Sequence, residues 1–153
     1  RKLPAFTPQN KSLTVWSYAR LALPSDTLLH AIAEQTISSL HEFKSQEMTN
    51  VAWAFAKLSV DNAPLTDRIA DEAIKTLNEW STQSVAAMAS AVAKLLIEND
   101  RLRSSISAEA VKRMPMMVPQ SFSTVSWAFA KMVADDAALG DAIATQAPRM
   151  GGQ

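Results

Sequence analysis

Trp53-Ala54-Phe55-Ala56-Lys57-Leu58 returns three more times along the chain in variant form and at one phase. Trp127-Ala128-Phe129-Ala130-Lys131-Met132 is nearly identical, and Trp16-Ser17-Tyr18-Ala19-Arg20-Leu21 is close. Ser90-Ala91-Val92-Ala93-Lys94-Leu95 keeps the register with its tryptophan lost. The lead positions 16, 53, 90 and 127 are each 37 residues apart. A fixed period of this length marks an array of small units, each burying its apolar face against the next.

Helical geometry sorts the positions around the lead residue, taken as zero, at roughly 100° per residue. Apolar side chains recur at −5, −2, −1, +2, +5 and +6, with alanine at +3. In the second unit these are Met48, Val51, Ala52, Phe55, Leu58 and Ser59, with Ala56. So wide a stripe suits an inner helix packed on several sides. The remaining polar strip is narrow. It carries glutamine at −7 (Gln9, Gln46, Gln83, Gln120) and a mixed position at −6 (Asn10, Glu47, Ser84, Ser121). Position −3 is variable (Leu13, Asn50, Ala87, Thr124), and +4 is always basic (Arg20, Lys57, Lys94, Lys131).

A second, ordinarily amphipathic helix follows in each unit. Leu28, Leu65, Leu102 and Leu139 form one column, and Ile32, Ile69, Ile106 and Ile143 the next. Leu40, Leu77 and Met114 continue this stripe, with Asp67, Arg68, Asp71, Glu72 and Lys75 on the wet side. Pro8 and Pro119 fit the first turn of an inner helix, and Thr7 and Ser81 fit its N-cap. Ser25-Asp26, Asn62, Asn99-Asp100 and Asp135-Asp136 offer capping oxygens ahead of the outer helices. The pattern predicts inner helices near 8–22, 45–59, 82–97 and 119–134, and outer helices near 26–42, 63–79, 100–114 and 136–147. The expected architecture is an all-α solenoid of about four helix-turn-helix repeats near 7–43, 44–80, 81–117 and 118–150. Its handedness is taken as right-handed, as is usual for such stacks. Leu3 and Phe6 repeat Leu40 and Phe43 one period earlier, so residues 1–6 read as the tail of a preceding repeat. Pro148 should stop the last helix.

The composition removes several function classes. Fifteen basic residues balance fifteen acidic ones, so nucleic-acid binding by bulk positive charge is unsupported and would need a local patch. Without cysteine there is no disulfide, thiolate metal site or cysteine nucleophile. His30 and His41 stand eleven residues apart with no further ligands, which does not make a metal site. No Gly-x-Ser-x-Gly turn and no phosphate-cradling glycine loop occurs. The reading is of a binding protein with no enzymatic activity, no cofactor and no membrane-spanning segment. The sequence opens Arg1-Lys2 with neither signal nor transit character, as a processed end or a fragment edge would.

A Trp-Ala-Phe-Ala-Lys-Leu phrase on a 37-residue period, with glutamine seven residues ahead, resembles the heptatricopeptide and octotricopeptide repeat proteins of algal and alveolate organelles. The resemblance spans residues 7–147, and the tetratricopeptide pattern fits less well because its period is shorter. Ser90 departs from the family's tryptophan column, and no RAP-type domain occurs in the sequence. The resemblance implies an α-solenoid in the interior of a mitochondrion or plastid, with single-stranded RNA or a ribonucleoprotein as partner. The alternative is a scaffold subunit docking proteins within a large organellar complex.

Candidate RNA- or partner-binding residues are Arg20, Lys57, Lys94 and Lys131, Gln9, Gln46, Gln83 and Gln120, and the variable Asn50 and Thr124. With helices about 10 Å apart, the basic column forms a track roughly 30 Å long that suits a phosphate backbone. The same cations also suit the negative end of a helix macrodipole. The tryptophan column falls at the border of the polar strip, where it either seals neighbouring repeats or stacks on a partner. Met114 or Met117 is expected to lean toward the place vacated at Ser90.

Overall fold

The computed structural model describes residues 6–95 and 99–131, with positions 141 and 145 in addition. Among them, seven α-helices alternate between two layers: α1 (Pro8–Arg20), α2 (Asp26–Ser39), α3 (Ser45–Lys57), α4 (Ala63–Thr76), α5 (Thr82–Leu95), α6 (Asp100–Arg113) and α7 (Pro119–Lys131). The odd helices pack side by side in one layer and the even helices in the other. Equivalent parts of neighbouring odd helices meet. Ser45 and Ser84 hydrogen-bond at 3.3 Å near the starts of α3 and α5, and the Trp16 and Trp53 rings lie 6.5 Å apart near the ends of α1 and α3. The odd helices therefore run parallel, as a stack of hairpins requires. The expected outer helix near 136–147, with Leu139, Ile143, the Asp135-Asp136 cap and the stop at Pro148, lies outside the described residues.

The two end helices separate the two contact faces of an inner helix. Among the described odd helices α1 has only α3 beside it, and it buries Lys11, Ser12, Val15 and Ala19. At the other end α7 has only α5 beside it, and it buries Ser121, Val125, Ala128 and Phe129. Positions −4, −1 and +3, mostly small residues, thus face the following unit, while −2, +1 and +2 project toward the preceding one. Middle helices bury both sets: α3 encloses Thr49 and Ala52 as well as Val51, Ala54 and Phe55. Small residues receiving larger ones let the odd helices approach closely, at the density of a packed interior.

Helix starts follow the sequence reading. Pro8 and Pro119 open α1 and α7, and Thr7 and Asn10 form a reciprocal capping box. The Ser81 hydroxyl accepts from the Ser84 N–H at 3.1 Å, and Asn62 and Asn99 accept from the N–H of Leu65 and Leu102 at 3.0 and 2.9 Å. Ser25 occupies the N-cap of α2 but makes no side-chain capping bond.

Helix ends differ from expectation. Inner helices α1 and α3 stop two residues early, at Arg20 and Lys57, because Ala22 and Ser59 turn left-handed with φ of 52° and 54°. Each completes a Schellman closure, with Leu23 N–H donating to Tyr18 O and Val60 N–H to Phe55 O, both at 3.0 Å. The usual residue for this site is glycine, which is why the sequence did not mark it. Outer helices tighten into single 3-10 turns at Leu40–Glu42, Leu77–Glu79 and Met114–Met116. Phe43, Trp80 and Met117 follow in extended conformation and are buried, forming a corner that recurs on the period. Met114 and Met117 fall in the buried columns Leu40/Leu77 and Phe43/Trp80.

Two further departures concern the first unit. Lys11 stands in the apolar −5 column yet is buried, its Nζ donating to Gln35 O at 3.1 Å and Ser39 Oγ at 2.8 Å. Leu28 is only partly buried, and Leu29 takes the enclosed place that Leu65 and Leu102 occupy in later units. Between units two and three sits a buried Arg113. It donates to Glu109 Oε1 at 2.5 Å, to Leu77 O and Asn78 O at 3.0 Å each, and to Trp80 O. One guanidinium thereby gathers the carbonyls at the end of the preceding outer helix, adding a second donor to Leu77 O, which also accepts the Trp80 N–H at 3.2 Å.

Candidate nucleic-acid interface

On each inner helix the positions −7, −3, 0 and +4 are spaced by four, three and four residues, so they fall on one stripe along about 16 Å of helix. Gln9, Gln46, Gln83 and Gln120 are the second residues of α1, α3, α5 and α7, and all four are exposed. Arg20, Lys57 and Lys131 are the last residues of α1, α3 and α7 and are also exposed. Lys94 belongs to α5, but its side chain lies outside the described residues. At the variable position, Leu13 is exposed while Asn50, Ala87 and Thr124 are half-buried. Thr124 spends its hydroxyl on the Gln120 carbonyl at 2.9 Å. The parallel layer therefore gathers the glutamines along one edge and the basic side chains along the other.

The cations answer two demands at once. At the final residues of α1 and α3, Arg20 and Lys57 meet the partial negative charge of unsatisfied carbonyls. Two of the cations lie back on an aromatic ring of the same helix, with the Arg20 guanidinium 5.1 Å from the Trp16 centroid and Lys131 Nζ 5.2 Å from that of Trp127. This holds the charge beside the ring rather than out in solvent. Trp16 and Trp53 are half-buried and meet each other across the α1–α3 seam, whereas Trp127 is 45% exposed. The tryptophans thus belong to the polar stripe as well as to the packing. The i, i+4 spacing from Trp to cation is the signal that reveals this in the sequence.

A second surface feature appears only when the corners are compared. Glu42 and Glu79 precede the buried corner residue in units one and two, and Lys44 and Ser81 follow it. In unit three these places are held by Met116 and Val118, 69% and 59% exposed. Among the described residues no cluster of three or more histidines or carboxylates can hold a metal ion, and His30 and His41 are both exposed. The apolar gap lined by Ala52, Phe55, Leu65, Ile69, Met88 and Leu102 offers ≈ 10 Å³, about the room of one water. No described helix is long and apolar enough to cross a membrane.

A family model described as RNA-editing substrate-binding complex 6 protein matches residues 3–144, spanning every helix described above. No individually curated protein matches the chain. The match places the chain among helical proteins associated with RNA editing, which is broader than the heptatricopeptide and octotricopeptide groups that the repeat phrase resembles. From the parallel stack of hairpins and this match along nearly its whole length, the chain belongs to the RNA-editing substrate-binding complex 6 protein family.

Proposed function

We propose that this chain is a non-catalytic binding subunit of an RNA-editing complex and that it holds single-stranded RNA along the inner-helix stripe. The observation that carries the reading is the alignment of exposed glutamines, half-buried to exposed tryptophans and exposed cations on one face of parallel helices. Amides read base edges, indole rings accept stacked bases, and cations follow phosphates, a combination suited to unpaired strands. A neutral chain can do this because its charges are segregated rather than in excess. Arg20, Lys57, Lys94 and Lys131 are the phosphate-binding set, with Gln9, Gln46, Gln83, Gln120, Asn50 and Thr124 beside the bases. Family membership supports a mitochondrial location over a plastid one, and the narrower heptatricopeptide or octotricopeptide assignment rests on the repeat phrase alone.

The test is binding of a labelled single-stranded RNA followed by anisotropy across a salt series. Reversing Arg20, Lys57 and Lys131 to glutamate together should make the slope of log affinity against log salt shallower by about 2, at roughly 0.7 per phosphate contact. An unchanged slope would remove RNA from this face. The scaffold reading keeps one specific observation in its favour, the exposed Met116 and Val118 where other units carry charged or hydroxyl residues. Met116→Glu with Val118→Lys should leave RNA binding intact and weaken only protein association within the complex.

A further inference from the structure

The first inner helix shows the face that every later inner helix turns toward its predecessor. In α3, α5 and α7 the positions −2, +1 and +2 are buried: Val51, Ala54 and Phe55, then Met88, Ala91 and Val92, then Val125, Ala128 and Phe129. In α1 they are Thr14, Ser17 and Tyr18, all partly or fully exposed. Around them stand Leu13 at 45%, Leu21 at 68% and Leu23 at 52% exposure. Leu58 and Val60, the counterparts of Leu21 and Leu23 in the second unit, pack against the core, so the position itself does not dictate exposure. The outer layer repeats the contrast, since Leu28 is partly open where Leu65 and Leu102 are enclosed.

The polar members of this face do not oppose burial. The Thr14 hydroxyl donates to Asn10 O at 2.7 Å and the Ser17 hydroxyl to Leu13 O at 2.8 Å, so neither needs water as an acceptor. The corner column gives the same indication. Phe43, Trp80 and Met117 are buried beneath their 3-10 turns, whereas Phe6, in the same register immediately before the Thr7 N-cap, is 37% exposed. By sequence register Leu3 continues the column of Leu40, Leu77 and Met114.

We propose that the exposed face of α1 and α2 is a stacking surface covered by a preceding helical hairpin of the same 37-residue type, joined at Phe6. The surface continues the inter-repeat interface already present three times within the described residues. Its occupant is therefore specified closely. It presents small residues at −4, −1 and +3 of its inner helix, as α1, α3 and α5 do toward their own successors. A face exposing leucines in a row is what an internal unit shows when its neighbour is removed, and differs from the polar outer surface of a capping repeat.

Cysteine is absent from the chain, so a single introduced thiol reports cleanly on cover. Leu21→Cys and Leu13→Cys are compared with Ser104→Cys, an exposed reference on α6, by alkylation rate. Three proteins are used: the 153-residue chain, the natural gene product read from its own start codon, and a chimera with residues 44–80 placed directly before Thr7. In the 153-residue chain all three thiols should react alike. In the other two, the thiols of Leu21→Cys and Leu13→Cys should react at least tenfold more slowly, with the Ser104→Cys rate unchanged. Equal rates in the natural product overturn the proposal, and so does a chimera that leaves both thiols open. Protection in the 153-residue chain that grows with protein concentration also overturns it, by giving the face to a second copy.

Discussion

Replacing Arg113 with alanine is expected to lower the unfolding free energy by about 3 kcal/mol, in the range found when one partner of a buried charged network is removed. The magnitude follows from what the guanidinium touches. Arg113 is 8% exposed and donates to three main-chain carbonyls of the preceding unit, those of Leu77, Asn78 and Trp80. A buried carbonyl left without a donor costs about 1–3 kcal/mol. Leu77 O keeps the Trp80 N–H at 3.2 Å and Asn78 O lies nearer solvent, where it can recover a water, so the Trp80 carbonyl carries most of the main-chain loss. Glu109 also loses its closest cation, although Lys112 Nζ at 3.8 Å remains to compensate it. Urea unfolding followed by circular dichroism gives the free energy, and a melt should fall by about 6–12 °C at roughly 2–4 °C per kcal/mol for a chain of this size. Arg113→Lys supplies the control. A lysine keeps the charge but not the planar fork, so it should recover less than half the loss. If the alanine variant loses under about 0.5 kcal/mol, the typical scatter of surface substitutions, or if lysine restores full stability, the staple between units two and three is not what holds that corner.

Four other substitutions test the local structure. Ala22→Gly and Ser59→Gly should each stabilise by about 0.5–1 kcal/mol, since the left-handed conformation strains a Cβ by more than glycine's extra chain entropy costs. A rise in the urea midpoint at unchanged m-value checks it. Thr36→Ala should raise stability by about 1 kcal/mol, because the Thr36 hydroxyl is buried without a hydrogen-bond partner and alanine already fills its column at Ala73 and Ala110. A midpoint that falls instead would show the hydroxyl to be satisfied. Asn99→Ala should cost about 1 kcal/mol by uncapping α6, visible as faster amide exchange in its first turn while α2 is unaffected.

The repeat phrase carried most of the fold because identity and phase recurred together. Trp, Ala, Lys and the leading Gln return on one period, and helical geometry then assigns inner and outer faces with little freedom. The corners escaped notice for the opposite reason. Phe43, Trp80 and Met117 share burial and an extended backbone but no chemical type, so no column of identity marks them. Lys11 reads as a misfit in an apolar column until Gln35 O and Ser39 Oγ are seen to receive its ammonium. The sequence's helix ends ran long because Ala22 and Ser59 do a glycine's work. At the candidate interface, the outward direction of Arg20, Lys57 and Lys131 was legible from the wheel. The lean of Arg20 and Lys131 onto Trp16 and Trp127 was not, since rotamers of long side chains are settled by their neighbours.

The parallel inner layer has an electrical consequence. Each hairpin adds an inner-helix dipole pointing the same way, so the dipoles add within the inner layer, opposed by those of the outer layer behind it, while the formal charge stays at zero. The basic column lies on the edge where carbonyls accumulate and offsets the negative potential there. The opposite edge is lined by uncharged glutamines, and of the four inner helices α3 alone carries an acidic residue, Glu47, in its first turn. A polyanion approaching this neutral protein thus meets a field with a direction. Each repeat added to the stack lengthens that field without changing its sense.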